Sequence, residues 1–177
     1  MTTLLAISGS LRADSWNTRL MRALSSLTPQ GTTIVPFDLS RMPFYNQDLE
    51  GHHHETPVVV DALRATVMAA DGVIIVTPEY NHSIPAVTKN AIDWLSRPQG
   101  HGHLRNKKVA VFVGSIGPTS GTYCVAQTKD VLELLENDVI AAFNIGAIHE
   151  KMEEHDGAYT VSDAATAEQL RAALALF

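Results

Sequence analysis

Cysteine, long apolar runs and clustered basic residues are all scarce in this sequence. A single cysteine among 177 residues excludes an intrachain disulfide framework and is typical of a reducing compartment. No apolar run approaches the roughly 20 residues that a membrane-spanning helix needs, and no basic region precedes the short apolar stretch at the N-terminus. The 13 Lys and Arg are outnumbered by 19 Asp and Glu, and no basic cluster marks a nucleic-acid partner. We therefore expect a cytoplasmic protein with no membrane or nucleic-acid partner.

Strand-like and helix-like segments alternate along the chain. Hydrophobic residues make up 45% of it, which suits the core of a single domain over residues 1–177. Five short apolar runs predict strands: Thr3–Ser8, Thr32–Asp38, Gly72–Thr77, Lys107–Ser115 and Val139–Ile148. Five segments with helical spacing predict helices: one from Ser15 to about Pro29, Val58–Ala70, one from Ser83, Val125–Glu136, and about Ser162–Phe177.

This alternation predicts an α/β fold with helices on both faces of a parallel sheet. Five strands fit a flavodoxin-like three-layer sandwich better than a six-stranded dinucleotide fold, so we expect a five-stranded parallel sheet in order 2-1-3-4-5. Pro36 favours an edge position for the second strand. Ligands bind such a sheet where the strand order reverses, at the carboxyl ends of the strands. The loops after Ser8, Thr77 and Ser115 are therefore the candidate binding loops.

The first of these loops, Ser8–Asn17, has the composition of an anion site. It leads into a helix whose free N–H groups favour negative charge. Ser10, Ser15 and Asn17 offer side-chain donors, and the permanent charge of Arg12 suits a phosphate monoester. Neither of the common glycine patterns of nucleotide-binding loops is present, which argues against triphosphate cleavage. The alternative is an ordinary capped helix with an exposed arginine.

The second loop places Glu79, Tyr80 and Asn81 side by side before a helix. Ser83 is predicted to cap this helix, with Pro85 near its first turn. Loop amides, an aromatic ring and an amide side chain together could grip the edge and face of a planar heterocycle. The alternative is that these residues only complete a turn.

The third loop, Gly114–Gln127, contains three glycines, a proline and several hydroxyl groups. Glycine allows the backbone to approach a ligand closely, although such loops are common. Taken together, the three loops describe a phosphate pocket beside a ring pocket. Flavin mononucleotide (FMN) has that shape.

The segments Gly9–Asn17 and Pro78–Pro98 resemble the NAD(P)H-dependent FMN reductase family, which includes quinone, chromate and azo-dye reductases of flavodoxin-like fold. The resemblance implies a homodimer or tetramer with the flavin near the interface. Val125 departs from the family pattern, which has an arginine there, whereas Ala126 and Gln127 match it. The cofactor-binding residues that the resemblance implies are Ser10, Leu11, Arg12, Ser15, Trp16 and Asn17 for the phosphate, and Pro78, Glu79, Tyr80, Asn81, Ser115 and Gly117 for the ring.

The reaction implied by this resemblance is hydride transfer through a flavin. NADPH or NADH would deliver hydride to flavin N5, and a quinone, a second flavin or a similar small electron acceptor would then replace the nicotinamide over the ring. We assign no catalytic side chain and no metal. Two alternatives stay open: a flavodoxin-like single-electron carrier without nicotinamide activity, and a flavin-free binding or sensory module on the same fold.

Several conspicuous residues are interpreted as structural. The run His52–His54, like His101 and His103, reads as solvated histidine in loops rather than as a metal cluster. Cys124 has no partner motif and reads as a small buried residue at a helix start. Both tryptophans fall on helical apolar stripes, which favours the core or an interface.

Overall fold

The computed structural model describes residues 1–51, 55–118 and 120–177. Its main sheet has five parallel strands in the order β2-β1-β3-β4-β5, which confirms the predicted class and strand order. The strands are β1 (Thr2–Ser8), β2 (Thr32–Phe37), β3 (Gly72–Thr77), β4 (Lys108–Gly114) and β5 (Asp138–Ile145). β2 lies at the edge, as Pro36 predicts, because proline cannot donate to a neighbouring strand.

Five helices cover the two faces of this sheet: α1 (Trp16–Ala23), α2 (Val58–Ala69), α3 (Ala86–Leu95), α4 (Thr122–Leu134) and α5 (Ala164–Leu174). Alternate residues of β1 face opposite sides, so Leu4 belongs to the buried cluster that contains residues of α1 and α5, whereas Leu5 belongs to the cluster that contains residues of α2, α3 and α4. Every residue of the central strand β3 is buried. The result is the predicted three-layer sandwich.

Two predicted helix starts are wrong. Ser83 does not cap α3; the helix begins at Ala86 with Pro85 in the cap position, and Ser83 instead belongs to a turn with Tyr80. α4 begins three residues before Val125, because Gly121 has a φ of 107° and turns the chain into the helix there.

A hairpin that the sequence prediction omits lies between β5 and α5. β5 ends at Ile145 rather than Ile148, and the chain then forms the antiparallel pair β6 (Met152–His155) and β7 (Ala158–Val161). Asp156 and Gly157 connect the two strands with φ of 51° and 79°. Asp-Gly is a strong hairpin signal, since the favoured two-residue turn needs positive φ at both positions. The hairpin packs against α1, with the ring of Tyr159 5.6 Å from that of Trp16.

Along the residues described here, no helix is both long and apolar enough to cross a lipid bilayer.

Candidate functional site

The three predicted loops meet in one open cavity of about 240 Å³ at the carboxyl ends of β1, β3 and β4. We call it the rim cavity. Of the sequence-predicted site residues, all except Leu11 and Asn81 lie in its wall. The lining residues are Ser10, Arg12, Ser15, Trp16, Asn17, Pro78, Glu79, Tyr80, Gly114, Ser115, Ile116, Gly117, Ser120 and Ile148.

The first loop is held in place by hydroxyl groups beneath it. Ser8 Oγ and Thr18 Oγ1 are hydrogen-bonded at 2.8 Å, and both lie near the carbonyl of Ser10. Ser15 caps α1 and accepts from Thr18 N at 3.3 Å. Ser10 and Ser15 are both buried, and Ser15 lies at the helix start, where the helix dipole is positive. This part of the cavity therefore has the chemistry of a phosphate site.

Arg12 supplies the positive charge of this part. Its side chain is exposed, and among the described residues no carboxylate lies within ion-pair distance of it. The neighbouring Arg19 differs: its guanidinium stacks 4.6 Å from the ring of Trp16 and 4.3 Å from that of Tyr159, and pairs with Asp14 at 3.4 Å. Arg19 therefore supports the cavity wall, while the charge of Arg12 is available to a bound anion.

Asn17 joins the first loop to the third. Its Nδ2 donates to the carbonyl of Gly114 at 3.0 Å, and its Oδ1 accepts from Gly114 N at 3.0 Å. The side chain is buried. Asn17 lines the cavity, but one of its amide hydrogens and its amide oxygen already bond the backbone of Gly114. The sequence did not indicate this structural role.

The turn after β3 is a tight one. Tyr80 and Ser83 exchange two backbone hydrogen bonds, of 3.2 and 3.0 Å, across Asn81 and His82. Asn81 and His82 have φ of 50° and 59°, which is the geometry of a type I′ turn. Asparagine and histidine tolerate positive φ better than most residues. The turn therefore places Tyr80 in the cavity wall, whereas Asn81 is not among the residues that line the cavity.

Glu79 ties this turn to α4. Its side chain is only 6% exposed, its Oε2 accepts from Cys124 N at 2.9 Å, and its Oε1 lies 3.5 Å from His82 Nδ1. The donor, Cys124 N, lies in the first turn of α4, where backbone N–H groups lack helical partners and a negative charge is favourable. The carboxylate is thus used to fix the loop.

Gln127 completes this attachment. Its Oε1 accepts from Ser83 Oγ at 2.7 Å, and its Nε2 donates to the carbonyl of His82 at 3.1 Å. Together with the bond from Glu79, these contacts hold both ends of the turn on α4. A turn fixed in this way presents its backbone to a ligand in one orientation.

The third loop folds around the hydroxyl of Ser115. Ser115 Oγ lies 2.8 Å from the carbonyl of Gly117 and 2.9 Å from that of Ser120. The loop also presses on the end of β5, where a side chain on Gly146 would come within 1.9 Å of Pro118 O. The hydroxyl therefore shapes the loop.

Sequence reasoning missed four lining residues: Gly114, Ile116, Ser120 and Ile148. Gly114, Ile116 and Ser120 lie inside the loop that was singled out, so the loop composition already pointed to them. Ile148 follows β5. Its position predicts a place at the rim, because the carboxyl ends of parallel strands share one edge of the sheet.

Leu11 lies beside the rim cavity, in the wall of a second opening of about 500 Å³. We call this opening the apolar cleft; it shares Arg12 and Tyr80 with the rim cavity and is otherwise lined by Gly9, Leu11, Leu39, Ser40, Met42, Phe44, Pro85, Ala86, Val87 and Asn90. Phe44 stands out into solvent there with 81% of its surface exposed. The backbone beside it is held in place, because the carbonyl of Pro43 accepts from Trp94 Nε1 and Asn90 Nδ2 at 2.9 and 2.8 Å.

The residues that we interpreted as structural fall as follows. Cys124 is fully buried, and burial raises the pKa of its thiol to about 11, with the charge of Glu79 adding to the rise. Trp94 is buried in the core, whereas Trp16 is half-buried in the cavity wall. His52–His54 lie outside the described residues. Within the described ranges, no three His, Cys, Asp or Glu side chains are grouped to hold a metal ion.

Comparison with known proteins gives concordant results. The model of the NADPH-dependent FMN reductase family matches residues 2–150. The quinone reductase of Escherichia coli K12 is 34% identical over 172 residues, which cover 96% of this chain and 89% of that protein. The 2-hydroxy-1,4-benzoquinone reductase of a Burkholderia species is 38% identical over 128 residues, 72% of this chain and 68% of that one.

A solved structure supports the same family assignment. The flavoenzyme FerB of Paracoccus denitrificans, an NAD(P)H:(acceptor) oxidoreductase, superposes with a TM-score of 0.83 at 31% identity. The match covers 99% of this chain and 94% of FerB.

Proposed function

Because this chain belongs to the NADPH-dependent FMN reductase family, we propose that its rim cavity binds FMN, with the phosphate at the first loop and the ring along the turn after β3. The protein is an FMN-dependent NAD(P)H oxidoreductase that acts on small-molecule electron acceptors, quinones and flavins among them. The observation that carries the assignment of the site is that three loops, far apart in sequence, line one cavity.

The residues present fit FMN. At one end of the rim cavity, Arg12 and the hydroxyls of Ser10 and Ser15 surround the start of α1, which suits a phosphate monoester. At the other end, Tyr80 and Ile116 offer apolar surface beside loop backbone, which suits a flat ring system.

Bound FMN would carry the redox chemistry, taking a hydride from NAD(P)H and passing two electrons to the acceptor, with protons exchanged with solvent. The chain itself binds and orients. The backbone N–H groups of residues 79, 81, 116 and 117 lie in loops that Glu79, Gln127 and Ser115 fix, so they would be able to stabilise negative charge on a bound ring without reorganising. The apolar cleft beside Tyr80 would offer a flat donor or acceptor an apolar surface. We assign no catalytic side chain.

The test is Arg12→Ala. Loss of a charged hydrogen-bond donor to phosphate should weaken FMN affinity roughly 10- to 100-fold, while turnover at saturating FMN changes little. Arg171→Ala is the matched control, because Arg171 is an exposed arginine of α5 whose partner is Glu168. FMN affinity equal to that of the wild type would remove the phosphate role from Arg12.

A flavodoxin-like electron carrier is the alternative on this fold. The visible spectrum of the FMN-loaded protein separates the two functions: bleaching by NADH or NADPH, followed by steady turnover with a quinone, belongs to the reductase. A visible spectrum that neither NADH nor NADPH bleaches would favour the electron carrier.

We also propose a homodimer or tetramer, on the basis of the exposed apolar side chains around the apolar cleft. Phe44, Leu11 and Tyr80 are 81%, 57% and 47% exposed, and contiguous exposed apolar surface marks an interaction site. Phe44→Glu should lower the sedimentation coefficient of the native assembly; a wild-type protein that sediments as a monomer would refute the proposal. A cytoplasmic location, where NAD(P)H is available, and the absence of nucleic-acid and membrane partners complete the proposal.

A further inference from the structure

A third opening adjoins the two already described. It has a volume of about 450 Å³ and lies between α1 and the end of β2, with Thr18, Met21 and Arg22 on one wall and residues 36–40 on the other. We call it the arginine groove. Nothing in the binding of FMN described above uses its far wall.

The groove is positively charged in a protein whose net charge is −6. Arg12 and Arg22 both line it, and in the described part of the chain neither has a carboxylate within ion-pair distance. Because Arg12 is assigned to the FMN phosphate, Arg22 is the arginine left to a second anionic ligand in the FMN-loaded protein, and its guanidinium group matches phosphate geometry.

Among the described residues that line the groove, Asp38 is the one with a carboxylate. Asp38 accepts from Ser40 N at 2.9 Å and from Ser40 Oγ at 2.7 Å, and these bonds, with the nearby charge of Arg41, lower the pKa of its carboxyl group. Asp38 is therefore ionised at neutral pH and offers fixed acceptors at the carboxyl end of β2. A carboxylate accepts hydrogen bonds from hydroxyl groups, so Asp38 suits a ligand such as a ribose.

The groove is continuous with the flavin site. It shares Ser10 and Arg12 with the rim cavity, and Leu11, Arg12, Leu39 and Ser40 with the apolar cleft. Arg12 borders all three openings. A ligand with a flat ring in the apolar cleft can thus extend its other end along a polar, positively charged path.

We infer that the arginine groove binds the diphosphate and adenosine end of the nicotinamide donor, with Arg22 contacting a phosphate and Asp38 a ribose hydroxyl, while the nicotinamide occupies the apolar cleft. This inference rests on the proposed function, because it assigns a place to the donor of that reaction. It predicts that Arg22 contributes to the affinity for the nicotinamide donor and not to the affinity for FMN.

The test compares whole and truncated donors on Arg22→Gln. Rapid reduction of the FMN-loaded protein by NADH, by NADPH and by reduced nicotinamide mononucleotide, which lacks the adenosine end, gives a dissociation constant for each. Arg22→Gln should weaken binding of the dinucleotides roughly 10- to 100-fold and leave the mononucleotide unchanged. Arg22→Lys, which keeps the charge but loses the planar fork, should fall between. Lys129→Gln, which removes one positive charge from α4 on the opposite face of the sheet, should behave as wild type.

A second readout is independent of turnover. ADP-ribose, titrated calorimetrically into the FMN-loaded protein, should bind the wild type and Lys129→Gln alike and Arg22→Gln more weakly by the same factor. Equal affinities in all three proteins, or equal losses for mononucleotide and dinucleotide, would overturn the inference. A wild type that no nicotinamide donor reduces would instead refute the proposed function, and ADP-ribose binding would still decide whether the groove takes the adenosine end.

Discussion

Replacing Asn17 by alanine tests whether this side chain serves the fold as well as the cofactor. Its amide makes two hydrogen bonds of 3.0 Å to the backbone of Gly114, in a position only 4% exposed. Alanine would remove both bonds and leave a buried N–H and a buried carbonyl without this partner, at a cost of about 1–2 kcal/mol each. We therefore expect Asn17→Ala to lower the free energy of unfolding by about 2–4 kcal/mol.

The measurement is urea unfolding of the protein stripped of FMN, because a bound ligand would add its own stabilisation. In a protein of this size each 1 kcal/mol corresponds to about 2–4 °C, so Tm should fall by roughly 4–16 °C. FMN affinity should fall as well, since Gly114 leads into the third loop. The matched control is Asn144→Ala, which removes one exposed bond of 3.2 Å to Ser120 O and should cost less than about 1 kcal/mol.

The result that would refute this reasoning is specific. If Asn17→Ala lost FMN affinity but unfolded like the wild type in the absence of FMN, the amide would act on the phosphate alone. The hydrogen bonds to Gly114 would then contribute nothing net to stability.

Two further predictions concern packing and the thiol. Gly9→Ala should destabilise the protein by about 1–3 kcal/mol in thermal unfolding, because the new Cβ would lie 2.1 Å from Thr77 Oγ1 and 2.2 Å from Thr88 Oγ1; an unchanged Tm would contradict the close approach of the first loop to β3. Cys124 should resist iodoacetamide at pH 8 in the folded protein and react on unfolding, because burial raises the pKa of its thiol from 9.0 to about 11. Labelling of the native protein at pH 8 would instead show that the site opens. The stability that the neutral thiol contributes should be complete below about pH 9 and lost as pH rises toward 11.

The layout of the sheet could be predicted because it depends on local patterns. β1 and β3 are continuous apolar runs, as strands buried on both faces must be, and every residue of β3 is indeed buried. Alternation with helices then fixed the parallel sheet and the rim where the loops gather. The hairpin after β5 is not predicted by apolar runs, because its two strands are short and mostly exposed, although its Asp156-Gly157 turn is a local signal.

The start of α3 could not be predicted from local rules. Ser83 followed by Pro85 is a reasonable helix start, but Ser83 Oγ donates to Gln127, a residue 44 positions away. That contact and the turn with Tyr80 outweigh the capping preference.

What the sequence by itself determined is which loops meet and which residue types they bring: hydroxyls and an arginine at one strand end, an aromatic turn at the next. Only the tertiary structure decided which of those groups serve the fold and which face the cavity. Asn17 binds Gly114 across 97 positions and Glu79 binds Cys124 across 45, whereas Arg12 has no carboxylate partner among the described residues. The physical reason is that a buried polar group must find a partner wherever the fold places one, and for these side chains the partner lies far away in the sequence.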